Sequence, residues 1–176
     1  MANKTPEKDL VDKFKNLIGY DVEFSIKHEI NFNCKSKNCA DIEYLSNSDR
    51  YFVIEAKSHH SSDGHNSVHK IFGELLKETG RSRGDKEITY GILIPKDYYN
   101  KKDGIGFYRK GFNEINRKKY IGFGKLIPIS YIFVCSQKLS SIDVYTWESF
   151  YDGKNPIRTI TPNKANAVDA KSRAAD

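Results

Sequence analysis

An α/β fold, with a mixed central β-sheet flanked by helices, is predicted by three features of the sequence. Two runs rich in β-branched and aromatic residues, Ala40 to Leu45 and Tyr51 to Lys57, are joined by the turn-like Ser46-Asn47-Ser48-Asp49-Arg50, the signature of a β-hairpin. Two further runs, Ile88 to Ile94 and Ile129 to Cys135, are apolar on both faces, as central strands are, and helical stretches precede and separate them. Strands linked by helices pair in parallel, so hairpin and central strands together make a mixed sheet. Apolar residues at helical spacing, Leu10, Val11, Phe14, Leu17 and Ile18 near the start and Val68, Ile71, Phe72, Leu75 and Leu76 later, supply helices to cover it.

The chain's 176 residues suit one domain, expected over residues 1–161. From Pro162 to residue 176 the sequence is rich in Ala, Asn, Lys and Ser with little to bury, and a frayed tail is expected. Hydrophobic residues at 38% and charged residues at 30% are those of a soluble protein, and no apolar run is long enough to span a bilayer. The first residues lack the apolar segment of a signal peptide, and three irregularly spaced cysteines do not make a disulfide framework, so a cytoplasmic protein is expected. The net charge of +6 suits a polyanionic partner without requiring one.

Thr5-Pro6-Glu7 opens the first helix as an N-cap, a proline at the first helical position and a first-turn acid. Glu7 falls on the apolar side of the helical wheel while Asp9 and Asp12 point away. It is therefore either an acid directed at a site or a complement to the helix dipole. Gly19 ends the helix. Val22, Phe24, Ile26 and Ile30 alternate with polar residues as a half-buried strand, with His28 directed inward and Glu23 a further candidate carboxylate. Asn33 to Cys39 is a polar loop leading to Asp41.

In the hairpin the simplest register sets Leu45 opposite Tyr51. Counting back, Asp41 then lies across from Glu55, on one face and about 5 Å apart at Cβ. The period of two along a strand returns Lys57 to that face, while Ile42, Tyr44, Phe52, Ile54 and Ala56 form the opposite, core face. Two carboxylates this close repel, and one is driven to hold its proton unless a cation joins them. A hard divalent ion with oxygen ligands meets that need, since Mg²⁺ takes one or two carboxylates and keeps its waters. A solvent-facing salt bridge on an ordinary amphipathic hairpin is the plain alternative.

Asp41 followed by Glu55-Ala56-Lys57 resembles the active-site signature of the PD-(D/E)XK nuclease superfamily, with Ala40 where a proline often stands. The resemblance is strict over the hairpin and looser, through the order of elements, over roughly residues 5–135. It implies a restriction-endonuclease-like fold and a metal-dependent phosphodiesterase, a hydrolase acting on DNA. Asp41, Glu55 and the carbonyl of Ala56 would be metal-binding. Magnesium would be the cofactor, with Mn²⁺ able to substitute and no small-molecule cofactor. Lys57 would position or activate water, and Glu7 would be the extra acid that several families of the superfamily take from the first helix. Some exonuclease-like branches carry a glutamine and a tyrosine on the helix after the catalytic strand. This chain offers Glu74, Lys77 and Glu78 instead.

Elsewhere, candidate DNA-binding cations are Lys70 and Lys77 on that helix and Arg81 and Arg83 in the glycine-punctuated loop after it. Arg109 and Lys110 belong to a basic helical stretch, Phe107 to Tyr120, with Phe112 and Ile115 inward. Interleaved tyrosines would let this stretch track a phosphate backbone; a solvated charged face is the alternative. Cys34, Cys39, His65 and His69 imitate a zinc site, and His59, His60, Asn66 and His69 a histidine-based nuclease. A solvated histidine-rich loop explains the histidines more simply. Ile142 to Trp147 completes the sheet as an edge strand. The function expected is a Mg²⁺-dependent DNA endonuclease of restriction type, with a homodimer as the way to cut both strands. An inactive DNA-binding module of the same fold, or a nuclease of repair junctions or RNA, is the alternative.

Overall fold

The computed structural model describes residues 6–34, 39–58, 64–96, 106–136 and 138–162, with backbone alone for 64–67. Seven strands form one mixed sheet in sequential order: β1 (Ile26–Phe32), β2 (Ile42–Ser46), β3 (Tyr51–Ala56), β4 (Ile88–Pro95), β5 (Ile129–Cys135), β6 (Ile142–Thr146) and β7 (Arg158–Ile160). The first three run antiparallel, β3, β4 and β5 are parallel to one another, and β6 and β7 return antiparallel. The parallel steps occur where helices intervene: α2 (Gly64–Thr79) joins β3 to β4, while α3 (Phe107–Asn113) and α4 (Arg117–Leu126) lie between β4 and β5.

Alternation along the strands divides the core into two layers. Ile42, Tyr44, Phe52, Ile54, Ala56, Leu93, Phe133 and Val144 face α1 (Glu7–Ile18), whose buried side is Leu10, Val11, Phe14, Leu17 and Ile18, as the spacing predicts. Tyr51, Val53, Tyr90, Ile92, Ile94, Ile132 and Val134 face α2 to α4 and α5 (Trp147–Tyr151). A flat stack of Tyr120 on Trp147, centroids 4.0 Å apart and planes 1° off parallel, locks α4 to α5. Gly124 permits it, because a Cβ there would overlap the indole ring.

The hairpin has the expected register, with Leu45 opposite Tyr51 and Ile42 opposite Ile54. Asp49 takes the turn's left-handed conformation at φ 59°, which Asp tolerates better than most residues. Elsewhere the structure departs from the sequence expectations. The first strand begins at Ile26, not near Val22: residues 22–24 form turns with Val22 87% exposed, and His28 lies exposed on β1. Being at the sheet's edge, β1 need not bury its apolar residues, and two register irregularities interrupt its ladder. The stretch Phe107 to Tyr120 is two helices, α4 starting afresh where the Asn116 side chain accepts from Lys118 N. Strand β6 is not the edge either, since β7 pairs beyond it. Leu76, expected in the core, is 50% exposed. The tail expected from 162 lies outside the described residues apart from Pro162 itself. Among the described residues no helix is long and apolar enough to cross a membrane.

Candidate active site

The carboxyl end of β3 opens into a cleft of about 290 Å³ lined by Glu7, Cys39, Asp41, Glu55, Lys57, Glu74, Lys77 and Glu78. Asp41 immediately precedes β2, and the hairpin register carries it opposite Glu55. Its Oδ2 accepts a hydrogen bond of 2.8 Å from Ala56 N, and its carbonyl accepts one of 2.9 Å from Asn33 N. The aspartate is thus held by backbone on both sides. Glu55 is 6% exposed on the same face, and Lys57 N closes onto Leu93 O, continuing the ladder with β4 one residue beyond the strand. Glu7 reaches the cleft from the first residue of α1.

The electrostatics are those of crowded acids around one ammonium. Burial, then the Asp41 charge and a hydrogen bond with it, then Glu74 and Glu78, push the Glu55 carboxyl up to about 9. Burial also raises Glu7, with Lys57 opposing and Asp41 and Glu74 adding to it. For Lys57 burial works against the charged form, but Glu74, Glu7 and Asp41 outweigh it and the pKa rises. Its Nζ lies 2.8 Å from Glu74 Oε2 and 3.9 Å from Glu7 Oε2. Glu74 therefore holds the lysine from α2, a role its position on that helix's polar side did not reveal.

A second cluster adjoins the first. Glu43, two residues after Asp41 on the same strand face, accepts from Tyr51 Oη at 2.6 Å and from Arg83 Nε at 2.7 Å. Arg83 also binds Glu78 Oε2 at 2.6 Å and the Glu78 carbonyl at 2.8 Å, and Arg81 binds Glu78 Oε1 at 2.9 Å. Two of the expected phosphate contacts are thereby corrected. The Arg83 side chain is 5% exposed and faces two carboxylates, and Arg81 turns inward to Glu78. Glu43 shares the strand face of Asp41 by the period of two, whereas Glu78, four residues after Glu74 on the helix's polar side, carries no mark of turning inward. Nor does the sequence show that the two would draw the loop arginines in.

Lys70 is exposed on α2, and Lys77, also exposed, borders the cleft. Lys110 is exposed on α3, whereas Arg109 is partly buried, its Nε donating to Phe150 O at 2.8 Å. Contrary to the expectation that the cysteines stay out of disulfides, Cys34 and Cys39 are paired, Cα atoms 6.1 Å apart, which removes both as ligands of the zinc constellation. His59 and His60 and the side chains of His65 and Asn66 lie outside the described residues; His69 is exposed.

The chain matches no family model, no curated protein and no solved structure.

The donor set fits a hard cation. Among the described residues no group of three or more His, Cys, Asp or Glu is gathered tightly enough to enclose a metal. Mg²⁺, however, needs only one or two carboxylates and water, and Asp41 and Glu55 are a pair whose mutual repulsion a divalent ion would relieve.

Proposed function

We propose that the chain is a Mg²⁺-dependent nuclease of the restriction-endonuclease-like fold, hydrolysing phosphodiester bonds in DNA. The observation that carries the reading is the convergence of Asp41, Glu55 and Lys57 at one end of an in-register hairpin, beside a cleft open enough for a backbone phosphate. The element order α1-β1-β2-β3-α2-β4 is also the one the resemblance leads one to expect.

Asp41, Glu55 and the carbonyl of Ala56 would hold the ion; when bound, it would lower the pKa of water and offset charge on the phosphate. Ala56 N fixes which Asp41 oxygen stays available. Lys57 remains an ammonium at neutral pH and supplies a proton donor and a positive charge where the phosphate's negative charge grows. Glu74 keeps that ammonium from swinging to solvent, and Glu7 is a further acceptor at the cleft's edge. Manganese would be expected to support the same chemistry. A homodimer would place two such clefts on a symmetric duplex.

Purified protein incubated with plasmid and linear DNA in Mg²⁺ should cut both. Asp41→Ala and Lys57→Ala should each lose at least about a hundredfold in rate. Metal-independent cutting, or full activity in both variants, would overturn the mechanism.

A further inference from the structure

Another cavity, of about 160 Å³, lies at the carboxyl ends of β4 and β5 and is lined by Ile94, Pro95, Lys96, Arg109, Tyr145 and Phe150 among others. The alternation that points Glu55 toward α2 also points Ile94 and Val134 that way, since Glu55 pairs with Ile92 and Ile94 with Val134. The cavity and the acidic cleft therefore open side by side on one face. By strand spacing and rise, Glu55 and Val134 are roughly 12 Å apart. Successive phosphates on one DNA strand lie about 6–7 Å apart, farther than the axial rise of about 3.4 Å, so a strand covers that distance in about two nucleotides.

What separates the cavity from the rest of the basic surface is how its arginine is held. Nε of Arg109 is anchored on Phe150 O, and the guanidinium lies 4.8 Å over the Phe150 ring and 5.8 Å from that of Tyr145. A guanidinium with its stem fixed and its plane stacked loses little freedom when it takes an oxyanion. Lys96 adds a second positive charge at the rim, 3.7 Å from Asp143 and with a side chain 59% exposed. Arg117, by contrast, is committed to Glu148 and Asp152, and Arg83 to Glu43 and Glu78.

We infer that Arg109 and Lys96 form a phosphate subsite that takes a backbone phosphate of the substrate strand about two nucleotides from the bond cut at Asp41 and Glu55. The inference rests on the nuclease reading for the identity of the strand. Its chemistry, two cations over an apolar floor beside the cleft, does not depend on cleavage.

Binding of a labelled duplex DNA oligonucleotide to the full chain, measured in EDTA across a salt series, tests it. Arg109→Gln should weaken binding about tenfold and Lys96→Gln about threefold. Each should lower the slope of log K against log salt by about 0.9. Lys27→Gln removes the same charge beside Asp49, at the opposite end of the hairpin, and should leave affinity within twofold. Lys96 is exposed, so its variant reports even if Arg109→Gln fails to fold. Unchanged affinity in a folded Arg109→Gln and in Lys96→Gln would overturn the subsite, as would an equal loss in Lys27→Gln. Inorganic phosphate separates the sources: saturable phosphate binding without DNA binding overturns a strand subsite, and Arg109-dependent binding confined to RNA overturns the choice of DNA. Arg109-dependent DNA binding without cleavage in Mg²⁺ would leave the subsite standing and remove the nuclease reading alone.

Discussion

At Glu55 burial and the neighbouring Asp41 carboxylate act in the same direction, so the folded protein without metal keeps a proton that the unfolded chain releases. The folded pKa, about 9, lies above the ordinary 4.5, so the stability linked to that proton is complete below pH 4.5 and is lost as pH rises toward 9. The raised carboxyl of Glu7 contributes with the same sign. In EDTA the melting temperature should therefore fall between pH 5 and pH 8, and Glu55→Gln should flatten most of that fall; a wild-type profile that rises over this window would contradict the assignment. Glu74→Gln bears on the lysine instead. With its 2.8 Å partner neutralised, the Lys57 ammonium loses its orientation, and Mg²⁺-supported cleavage should drop about 10–100-fold with little change in melting temperature. Of these residues, Asp41, Glu55 and Lys57 are legible because a strand's period of two is rigid: once Leu45 faces Tyr51, their common face follows. Glu74's part is not, because a helix's polar side looks the same whether it meets water or an ammonium.

Among the elements, α2 and the loop after it are tied to the sheet by ions as well as by apolar packing. Arg83 bridges Glu43 on β2 to Glu78 at the end of α2, with Glu78 1% and Glu43 8% exposed. Arg83→Ala would leave buried Glu43 with Tyr51 alone and buried Glu78 with Arg81 alone, and breaking such a buried pair costs about 3–5 kcal/mol. Thermal unfolding should come roughly 6–20 °C earlier, and an unchanged midpoint would show that the bridge carries no stability. At the other end of the same layer, Gly124→Ala forces Trp147 off Tyr120 and should cost about 1–3 kcal/mol by denaturant unfolding. Both features escaped the sequence. Basic residues in a glycine-punctuated loop look solvated until a fold supplies buried acids for them, and a glycine inside a helix carries no mark of the ring that needs its space. The break between α3 and α4 was hidden for a related reason: Phe112 and Ile115 keep helical spacing up to Asn116, so this good cap reads as the interior of one helix.

For the whole molecule, the proposed reading implies that the acidic cleft links stability to divalent ions. A cation that binds the folded cleft and not the unfolded chain stabilises by about 2.7 kcal/mol at a hundred times its dissociation constant. Mg²⁺ or Mn²⁺ should therefore raise the melting temperature at pH 8 by roughly 5–11 °C, and Asp41→Asn should abolish the rise. Calorimetry showing the same rise in the variant would place the ion elsewhere. The sequence by itself determined the α/β architecture, the hairpin register, the buried side of α1 and the two-sided burial of β4 and β5. Each of these is a local periodicity that burial enforces on neighbours in the chain. Only the tertiary structure decided that β7 would cap β6, that Val22 and His28 would stay outside, and that Arg83 would turn inward while Arg109 lined a cavity. Those outcomes depend on which distant groups arrive alongside, and on the cost of leaving a buried charge or an open sheet edge without a partner.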